Sequence, residues 1–457
     1  MIVSFSVSNF RSFSKEETFS MVASKRLAGK HEDHALSIPG SRERVLKTAV
    51  IYGANGAGKS NLFKAIRYLR TVALNLRENR IGTGREPFLF DEFDKLPSSF
   101  DIQFITNESL YRFGVVLDDR RISEEWLVRI DGKKEVPLYE RITDSKGGVK
   151  VDAEGLKSTV EKIEALATVG GRQNHSFLAT IRANLNKPEL GDELLMILKW
   201  FETELVMIAP DESFGPLGPM LAEDPKFREF AGEFLNAAST GVDHLVATKK
   251  EITKDELLSG LPDRVRDSVK KDLIEGGEDK IAVYLNEETD LLIERDEENH
   301  YYRISIQAAH KNNDGEKIGL GLSQESDGTR RLLNLVPALH HLKSDNAVYI
   351  IDEIDRSMHP MLVKKFLEYF LKVCRGENRQ LIVTTHESNL LTLELLRRDE
   401  IWFAEKDPTG STRIYSMSDY KVRTDLEIRK HYLQGRFGAI PFLGDIDQFM
   451  MQQDSDC

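Results

Sequence analysis

The chain has 457 residues, 40% of them hydrophobic and 30% charged, which is typical of a soluble globular protein with two or three domains, or one large α/β domain with an insertion. Its net charge of −12 argues against a surface that binds nucleic acid indiscriminately but does not exclude a local basic patch. Its two cysteines, Cys374 and Cys457, exclude a disulfide framework or a cysteine-rich zinc site and fit a reducing compartment.

The N-terminal segment alternates apolar residues with serines, and this period of two predicts a β-strand. Ile2, Phe5 and Val7 are the apolar members of the pattern. The sequence Asn9-Phe10-Arg11-Ser12-Phe13 then predicts a turn, and the polar residues 24–44 predict a surface loop before the next strand.

Residues 53–60 fit the pattern G-x-x-x-x-G-K-[ST] of a phosphate-binding loop, or P-loop. The run Ala49-Val50-Ile51-Tyr52 before it is typical of a buried parallel strand, and apolar residues recur at helical spacing over residues 62–73. A chance glycine-rich turn seldom has both flanks. Lys59 is suited to reach the β- and γ-phosphate oxygens, and the Ser60 hydroxyl is suited to a Mg²⁺ position. The predicted nucleotide-binding residues are Gly53, Ala54, Asn55, Gly56, Ala57, Gly58, Lys59, Ser60 and Asn61.

Residues 100–142 predict antiparallel strands. Runs at 100–105 and 111–117 are joined by a five-residue connection, and two further runs surround Asp131-Gly132. Helical stripes follow at 194–206 and 227–234, and residues 253–299 are strongly charged and helix-compatible, without sustained heptads, which favours a solvated insertion over a specific binding surface. We therefore predict three segments: an N-terminal lobe at 1–151, a helical insertion (lid) at 152–300 and a C-terminal lobe at 301–457.

A second group of polar residues follows two apolar strand candidates. The run 347–351 ends in Asp352-Glu353, where Asp352 is suited to hold a Mg²⁺-bound water and Glu353 to orient the water that attacks the γ-phosphate. A helix with Pro360 in its first turn comes next. The strand at 381–383 then ends at Thr384-Thr385-His386, and His386 is either a surface histidine or a hydrogen-bond partner of the γ-phosphate.

At this point the chain resembles ABC-type ATPases, in the compact form of relatives of the RecF, SMC and OLD proteins. The resemblance rests on Ser323-Gln324-Glu325-Ser326-Asp327-Gly328-Thr329, which looks like the signature motif, on Asn9 to Phe13, on the P-loop, on Asp352-Glu353, on D-loop-like residues 355–360, on His386 and on residues 432–441. It covers residues 1–150 and about 300–445. The signature departs from Leu-Ser-Gly-Gly, Met358 replaces a usual leucine, and Gln103 is the candidate for the glutamine loop.

The resemblance implies an α/β fold: an ABC-type P-loop ATPase head, with a mixed sheet and an antiparallel β lobe, that carries a helical insertion. It also implies ATP and Mg²⁺ as cofactors and slow hydrolysis with Glu353 and His386 as catalytic residues. Ser326 and Gly328 are expected to contact the γ-phosphate bound by another subunit, so that a homodimer or higher oligomer forms composite sites. Without the family resemblance, Ser326 would be interpreted as the cap of an ordinary polar helix start.

Many ATPases of this kind belong to bacterial anti-phage loci, so the resemblance implies a sensor that controls a separate effector nuclease of TOPRIM or HNH type, with a phage component or DNA as its trigger. A RecF-like DNA-repair ATPase is the alternative within the fold, and a P-loop kinase is the alternative outside it. We expect no nuclease centre in this chain. We also expect a cytoplasmic protein without membrane contact, because no apolar run reaches the roughly 18 residues that span a bilayer and no secretory signal is visible.

Overall fold

The computed structural model describes residues 1–27, 31–77, 82–156, 161–212, 214, 217–259, 261–275, 280–286, 289–296, 298–340, 346–374, 377–420 and 428–440. Cys457 and the last residue of the 432–441 motif, Pro441, lie outside these ranges. The chain forms two compact units. Unit 1 comprises residues 1–207, 345–354 and 370–457, and unit 2 comprises residues 208–344 and 355–369.

The strands are β1 (Ile2–Ser8), β2 (Glu17–Ser20), β3 (Ala35–Ser37), β4 (Arg44–Leu46), β5 (Thr48–Tyr52), β6 (Ser98–Thr106), β7 (Ser109–Leu117), β8 (Ile122–Asp131), β9 (Lys134–Thr143), β10 (Val149–Asp152), β11 (Leu205–Ile208), β12 (His244–Ile252), β13 (Lys280–Asn286), β14 (Thr289–Arg295), β15 (Tyr301–Lys311), β16 (Lys317–Gly321), β17 (Val348–Ile351), β18 (Gln380–Thr385), β19 (Ile401–Lys406) and β20 (Thr412–Ser416). The α-helices are α1 (Lys59–Leu74), α2 (Glu161–Val169), α3 (Phe177–Asn184), α4 (Gly191–Lys199), α5 (Leu217–Glu223), α6 (Pro225–Ala237), α7 (Lys254–Ser259), α8 (Asp263–Val269), α9 (Asp327–Leu335), α10 (Pro337–His340), α11 (Pro360–Val373) and α12 (Ile428–Leu433).

The P-loop strand lies inside the mixed sheet of unit 1. In the described part of the chain this sheet has the order β11-β17-β18-β5-β19-β20. Strand β5 runs parallel to both of its neighbours, β18 and β19, and all five of its residues are buried. The apolar sequence of β5 fits burial on both faces. The predicted buried parallel strand is therefore confirmed, and the P-loop emerges from its carboxyl end.

The second sheet of unit 1 is antiparallel, with the order β10-β9-β8-β7-β6-β1-β2 among the described strands. It confirms the predicted antiparallel lobe. The five-residue connection predicted between β6 and β7 is wrong, because both strands extend until only Asn107 and Glu108 separate them. These residues have φ of 47° and 56°, the left-handed values that a two-residue type I′ turn needs.

Unit 2 combines helices with a sheet of order β12-β15-β14-β13. Strand β16 also pairs with β15, at residues 307–311, whereas β14 pairs with residues 301–304. Helices α5, α6 and α9 share an apolar core with residues of β12 and β15. The interpretation of residues 253–299 as a solvated helical insertion is wrong for residues 280–286 and 289–295, because β13 and β14 form a hairpin there. The sequence does contain a short hydrophobic run from Ile281 to Leu285, but the many charged residues around it outweigh this signal. The division into segments at 151 and 300 stays a prediction.

No helix within the described ranges has both the length and the apolar character needed to cross a membrane.

Candidate nucleotide site

The P-loop joins β5 to α1 through a backbone that only glycine adopts readily. Gly58 precedes the first residue of α1 and has φ of 104°, and Gly56 has φ of 77°. A Cβ at Gly58 would overlap the Thr412 hydroxyl and lie 2.8 Å from the Thr412 methyl carbon, whereas a Cβ at Gly56 would meet open space. Gly58 is therefore required both for its φ and for the close approach of Thr412.

Lys59 is buried, with 6% of its surface exposed, inside the turn that precedes it. Its Nζ donates hydrogen bonds to the carbonyl oxygens of Gly53, at 2.6 Å, and Ala54, at 3.1 Å. A loop that places an ammonium group at the N-terminus of a 16-residue helix combines two sources of positive potential. This arrangement fits a polyphosphate, because both the lysine charge and the helix terminus favour an anion at the same place.

The acidic pair lies at the carboxyl end of β17, next to β18. Asp352 is 2% exposed and accepts a hydrogen bond of 2.5 Å from the Thr384 hydroxyl, which in turn accepts the Glu353 N–H at 2.8 Å. The Ile354 N–H donates to the Thr384 carbonyl oxygen at 3.1 Å. One threonine of β18 therefore fixes the backbone and the buried carboxylate of the pair. Sequence analysis placed Thr384 only at a strand end and missed this bridging role.

Glu353 has a left-handed backbone, with φ of 48°. For a residue with a Cβ this region costs about 1–2 kcal/mol, so the conformation persists only because surrounding contacts impose it. The Thr384 hydroxyl and the end of β17 are two such contacts. Backbone strain of this kind is concentrated at functional sites, which is consistent with a functional position for Glu353.

His386 directly follows β18 and is exposed. Because β17, β18 and β5 are adjacent and parallel, their carboxyl ends meet at one edge of the sheet. The structure thus brings together at that edge the P-loop, the Asp352-Glu353 pair and His386. Open α/β sheets bind ligands at this edge.

Behind the P-loop lies a buried group of hydroxyl side chains that sequence analysis missed. The Thr412 Oγ1 lies 2.7 Å from Ser12 Oγ and 2.9 Å from the Ala57 carbonyl oxygen, and the Asn61 amide donates to Ser12 Oγ at 2.7 Å. Ser12 belongs to the predicted turn at Asn9 to Phe13, so that turn supports the loop. No sequence signal marks Thr412, because it is one of many polar residues at strand starts.

The signature-like segment belongs to unit 2. Ser326 is the N-cap of α9, and its hydroxyl accepts a hydrogen bond from the Thr329 N–H at 3.2 Å. This is the role of an ordinary helix cap. Gly328 is the second residue of that helix. The buried Glu325 carboxylate pairs with Nε2 of His310 on β15 at 2.6 Å. The segment is thus held within unit 2 by the Glu325–His310 pair and by the Ser326 cap of α9.

Two other predicted residues are placed by the structure. Gln103 lies within β6, where it pairs with Ser4 and Arg112 across the antiparallel sheet. In the described part of the C-terminal motif, the Tyr432 ring stacks on Phe403 with centroids 5.7 Å apart. Both remain candidates without an assigned role.

The site contains oxygen ligands of the type that Mg²⁺ prefers. This ion is usually held by one or two protein ligands together with substrate phosphates. The Ser60 hydroxyl, at the start of α1, and the Asp352 carboxylate are suited to that arrangement. The residues present therefore fit a magnesium–nucleotide complex.

A family model described as "AAA domain, putative AbiEii toxin, Type IV TA system" matches residues 49–394. Among solved structures, the chain is similar to "Crystal structure of the SmcHead bound to the C-winged helix domain of ScpA", with 14% identity and a TM-score of 0.41 over 91% of this chain and 97% of that chain. It is also similar to "SMC head domain from Thermotoga maritima", with 12% identity and a TM-score of 0.36 over 91% of this chain and 98% of that chain. No curated protein matches the chain. The family match contains the P-loop, the signature-like segment, the acidic pair and His386.

Proposed function

The chain belongs to the AAA-domain family whose model matches residues 49–394, and from that premise we propose that it is an ABC-type ATPase that binds and hydrolyses ATP at the P-loop of unit 1. The observation that carries this proposal is the meeting of the P-loop, Asp352-Glu353 and His386 at one edge of a parallel sheet. A phosphate cradle alone would bind a nucleotide. The neighbouring carboxylates add the groups that hydrolysis requires.

Each residue of the edge has a distinct proposed role. Lys59 and the N–H groups of residues 53–61 bind the phosphates, and Ser60 with Asp352 holds Mg²⁺, which neutralises phosphate charge when it is bound. Glu353 orients and deprotonates the attacking water. The hydrogen bond from its backbone N–H to the Thr384 hydroxyl holds its strained backbone in place. His386 donates a hydrogen bond to the γ-phosphate.

Two substitutions test the chemistry separately. Lys59→Ala should weaken ATP binding, whereas Glu353→Gln should retain binding and lose about 10²–10⁴-fold in turnover, because the amide keeps the shape of the side chain without its basicity. Glu394→Gln, an equal change at an exposed acid, is the control. Binding is measured by calorimetry and turnover by phosphate release without an added acceptor, which also excludes a kinase. Wild-type hydrolysis by Glu353→Gln would remove that residue from its role.

The composite site between two chains is the second part of the proposal. Ser326 and the N–H groups near Gly328 stand at the start of α9, a helix terminus that can donate to a phosphate oxygen. In a closed pair each chain contributes its P-loop to one site and its signature to the other. ATP would then promote association.

Ser326→Arg should leave ATP binding by the isolated chain intact while suppressing hydrolysis and ATP-dependent association. Ser259→Arg introduces the same side chain at an exposed position of unit 2 outside the signature-like segment and serves as the control. Mixing Ser326→Arg chains with Lys59→Ala chains should restore part of the activity, because one composite site regains both of its halves. Normal hydrolysis by Ser326→Arg as a dilute monomer would contradict the composite site.

The cellular role that we propose is a sensor that controls a separate effector nuclease in anti-phage defence. Its support is the family resemblance of the ATPase motifs. Identifying the neighbouring gene tests it: a TOPRIM or HNH nuclease agrees with the proposal, whereas replication or repair genes favour the RecF-like alternative. Cleavage of nucleic acid by the purified chain, abolished by a substitution outside the ATP site, would contradict the need for a separate nuclease.

A further inference from the structure

Unit 1 contains a cleft of about 400 Å³ along α1. On the helix its lining begins at Lys64 and continues to Asn75, just beyond the helix end, and it includes no residue of 53–61. The 11 residue steps from Lys64 to Asn75 correspond to roughly 16 Å along the helix axis. The cleft therefore extends away from the phosphate-binding end of α1.

The charge of the cleft is opposite to that of the chain. Its lining contains four cationic side chains, Arg11, Lys64, Arg67 and Arg77, and one carboxylate, Glu86. Three positive charges therefore remain after Glu86 is counted, in a protein whose net charge is −12. A concave wall of one sign raises the local concentration of ligands of the opposite sign.

Two of the arginines are held in place by the loop opposite α1. The Arg77 guanidinium lies against Gly84, where a Cβ would overlap it, and it donates to the Thr83 carbonyl oxygen. Arg11 donates from Nη2 to Glu86 Oε1 at 2.7 Å, and its backbone N–H donates to the Glu86 carbonyl oxygen at 2.7 Å. Pre-ordered guanidinium groups lose little side-chain entropy when they bind an anion.

These arginines are also incompletely satisfied. The Nε atoms of Arg11 and Arg77 are buried, and neither has a hydrogen-bond partner among the described residues. A buried donor without an acceptor costs free energy, and a ligand oxygen in the cleft can offset that cost. Phosphate oxygens are strong acceptors for guanidinium groups.

An aromatic side chain lines the same space. Tyr68 packs against Phe10 with ring centroids 5.5 Å apart, and its hydroxyl donates to the Thr83 carbonyl oxygen at 3.1 Å. Burial raises the pKa of Tyr68 to about 12, so the phenol stays neutral. The cleft thus offers an apolar, aromatic wall beside its cations, a combination suited to a ligand with both a ring and an anionic group.

We propose that this cleft binds a phosphorylated small molecule of nucleotide size, at a site separate from the P-loop. Its volume lies in the range of small-molecule pockets and suits one mononucleotide, whereas a nucleic-acid backbone needs a groove that continues over several nucleotides. Lys64 and Arg67 bind the phosphate from α1, Arg11 and Arg77 bind it from the facing loop, and the ring packs on Tyr68. Glu86 keeps Arg11 oriented.

The test uses Lys59→Ala, which disables the P-loop, as its background. AMP, ADP and pyrophosphate are titrated into this variant by calorimetry. We expect AMP or ADP to bind with a stoichiometry of one per chain, and pyrophosphate to bind more weakly because it lacks a ring. Adding Lys64→Glu or Arg67→Glu should weaken binding by about tenfold or more, as the loss of a charge-assisted hydrogen bond implies. Arg120→Glu, the same charge reversal at an exposed position outside the lining, should leave binding unchanged.

Three results would overturn the proposal. One is that none of the three probes binds Lys59→Ala at millimolar concentration. Another is that the probes bind but Lys64→Glu and Arg67→Glu have no effect beyond that of Arg120→Glu. The third is that a labelled single-stranded oligonucleotide binds in a manner that depends on Lys64 and Arg67 while the small probes do not, which would assign the cleft to nucleic acid. ATP hydrolysis by the wild-type chain is measured separately, so failure here leaves the P-loop proposal intact.

Discussion

Glu353 offers a direct test of backbone strain at the candidate site. Its φ of 48° is unfavourable for any side chain with a Cβ but not for glycine. Comparing Glu353→Ala with Glu353→Gly tests this backbone strain, because both variants remove the carboxylate and every contact it makes. Both also keep the backbone N–H that donates to Thr384.

The expected difference follows from two opposing contributions. Alanine at this φ keeps a strain of about 1–2 kcal/mol that glycine does not have. Glycine loses about 0.4–1 kcal/mol relative to alanine through the greater entropy of the unfolded chain. The glycine variant should therefore be the more stable of the two by about 1 kcal/mol. For a unit of this size that difference corresponds to about 1–2 °C in Tm.

The assay is paired thermal and urea unfolding of both variants, alongside a control pair at Lys365. This residue lies inside α11 with 69% of its side chain exposed, so alanine should there be more stable than glycine by about 1 kcal/mol. The signature of strain is a sign reversal between the two positions. If alanine is the more stable residue at Glu353 as well, the left-handed conformation does not exist in solution and the argument from strain is wrong.

Three further predictions concern packing and ionisation. Gly58→Ala should cost about 2 kcal/mol more than Gly56→Ala in thermal unfolding, because both carry strain and only Gly58 also faces a steric overlap; equal costs would contradict the packing. Thr384→Val should lower stability by about 1–3 kcal/mol and reduce hydrolysis, whereas Thr384→Ser should retain both; an active valine variant would exclude the bridging role. Burial raises the pKa of Cys374 to about 12, so in a Cys457→Ser background its alkylation at pH 8 should proceed only through unfolding, and rapid native labelling would refute this.

The predictions from sequence succeeded where a local pattern decides the structure. β5 and α1 were predictable because an apolar run and a helical stripe flank the glycines, and α11 begins at Pro360 as its first-turn preference requires. The pairing of β17 with β18 follows from the same logic, since polar strand ends in a parallel sheet share one edge. The chemical roles assigned to the residues at that edge remain predictions.

The remaining features depend on partners that are distant in sequence. Thr412 lies against Gly58 because β20 and the P-loop pack together, and a single sequence does not indicate that contact. The hairpin of β13 and β14 was missed because the hydrophobic run of each strand is short and is flanked by charged residues. In the sequence, Glu353 looks like an ordinary acid at a strand end, because the residue type does not indicate the backbone angle φ.

The position of β5 between β18 and β19 has a consequence for how the protein is made. Both neighbours of the P-loop strand follow it by more than 300 residues in the chain. At about 5–20 residues per second, a ribosome needs roughly 20–70 s to add them, and during that time β5 has exposed edges on both sides. The sheet edge that carries the proposed nucleotide site is therefore complete only after both of these strands have been synthesised.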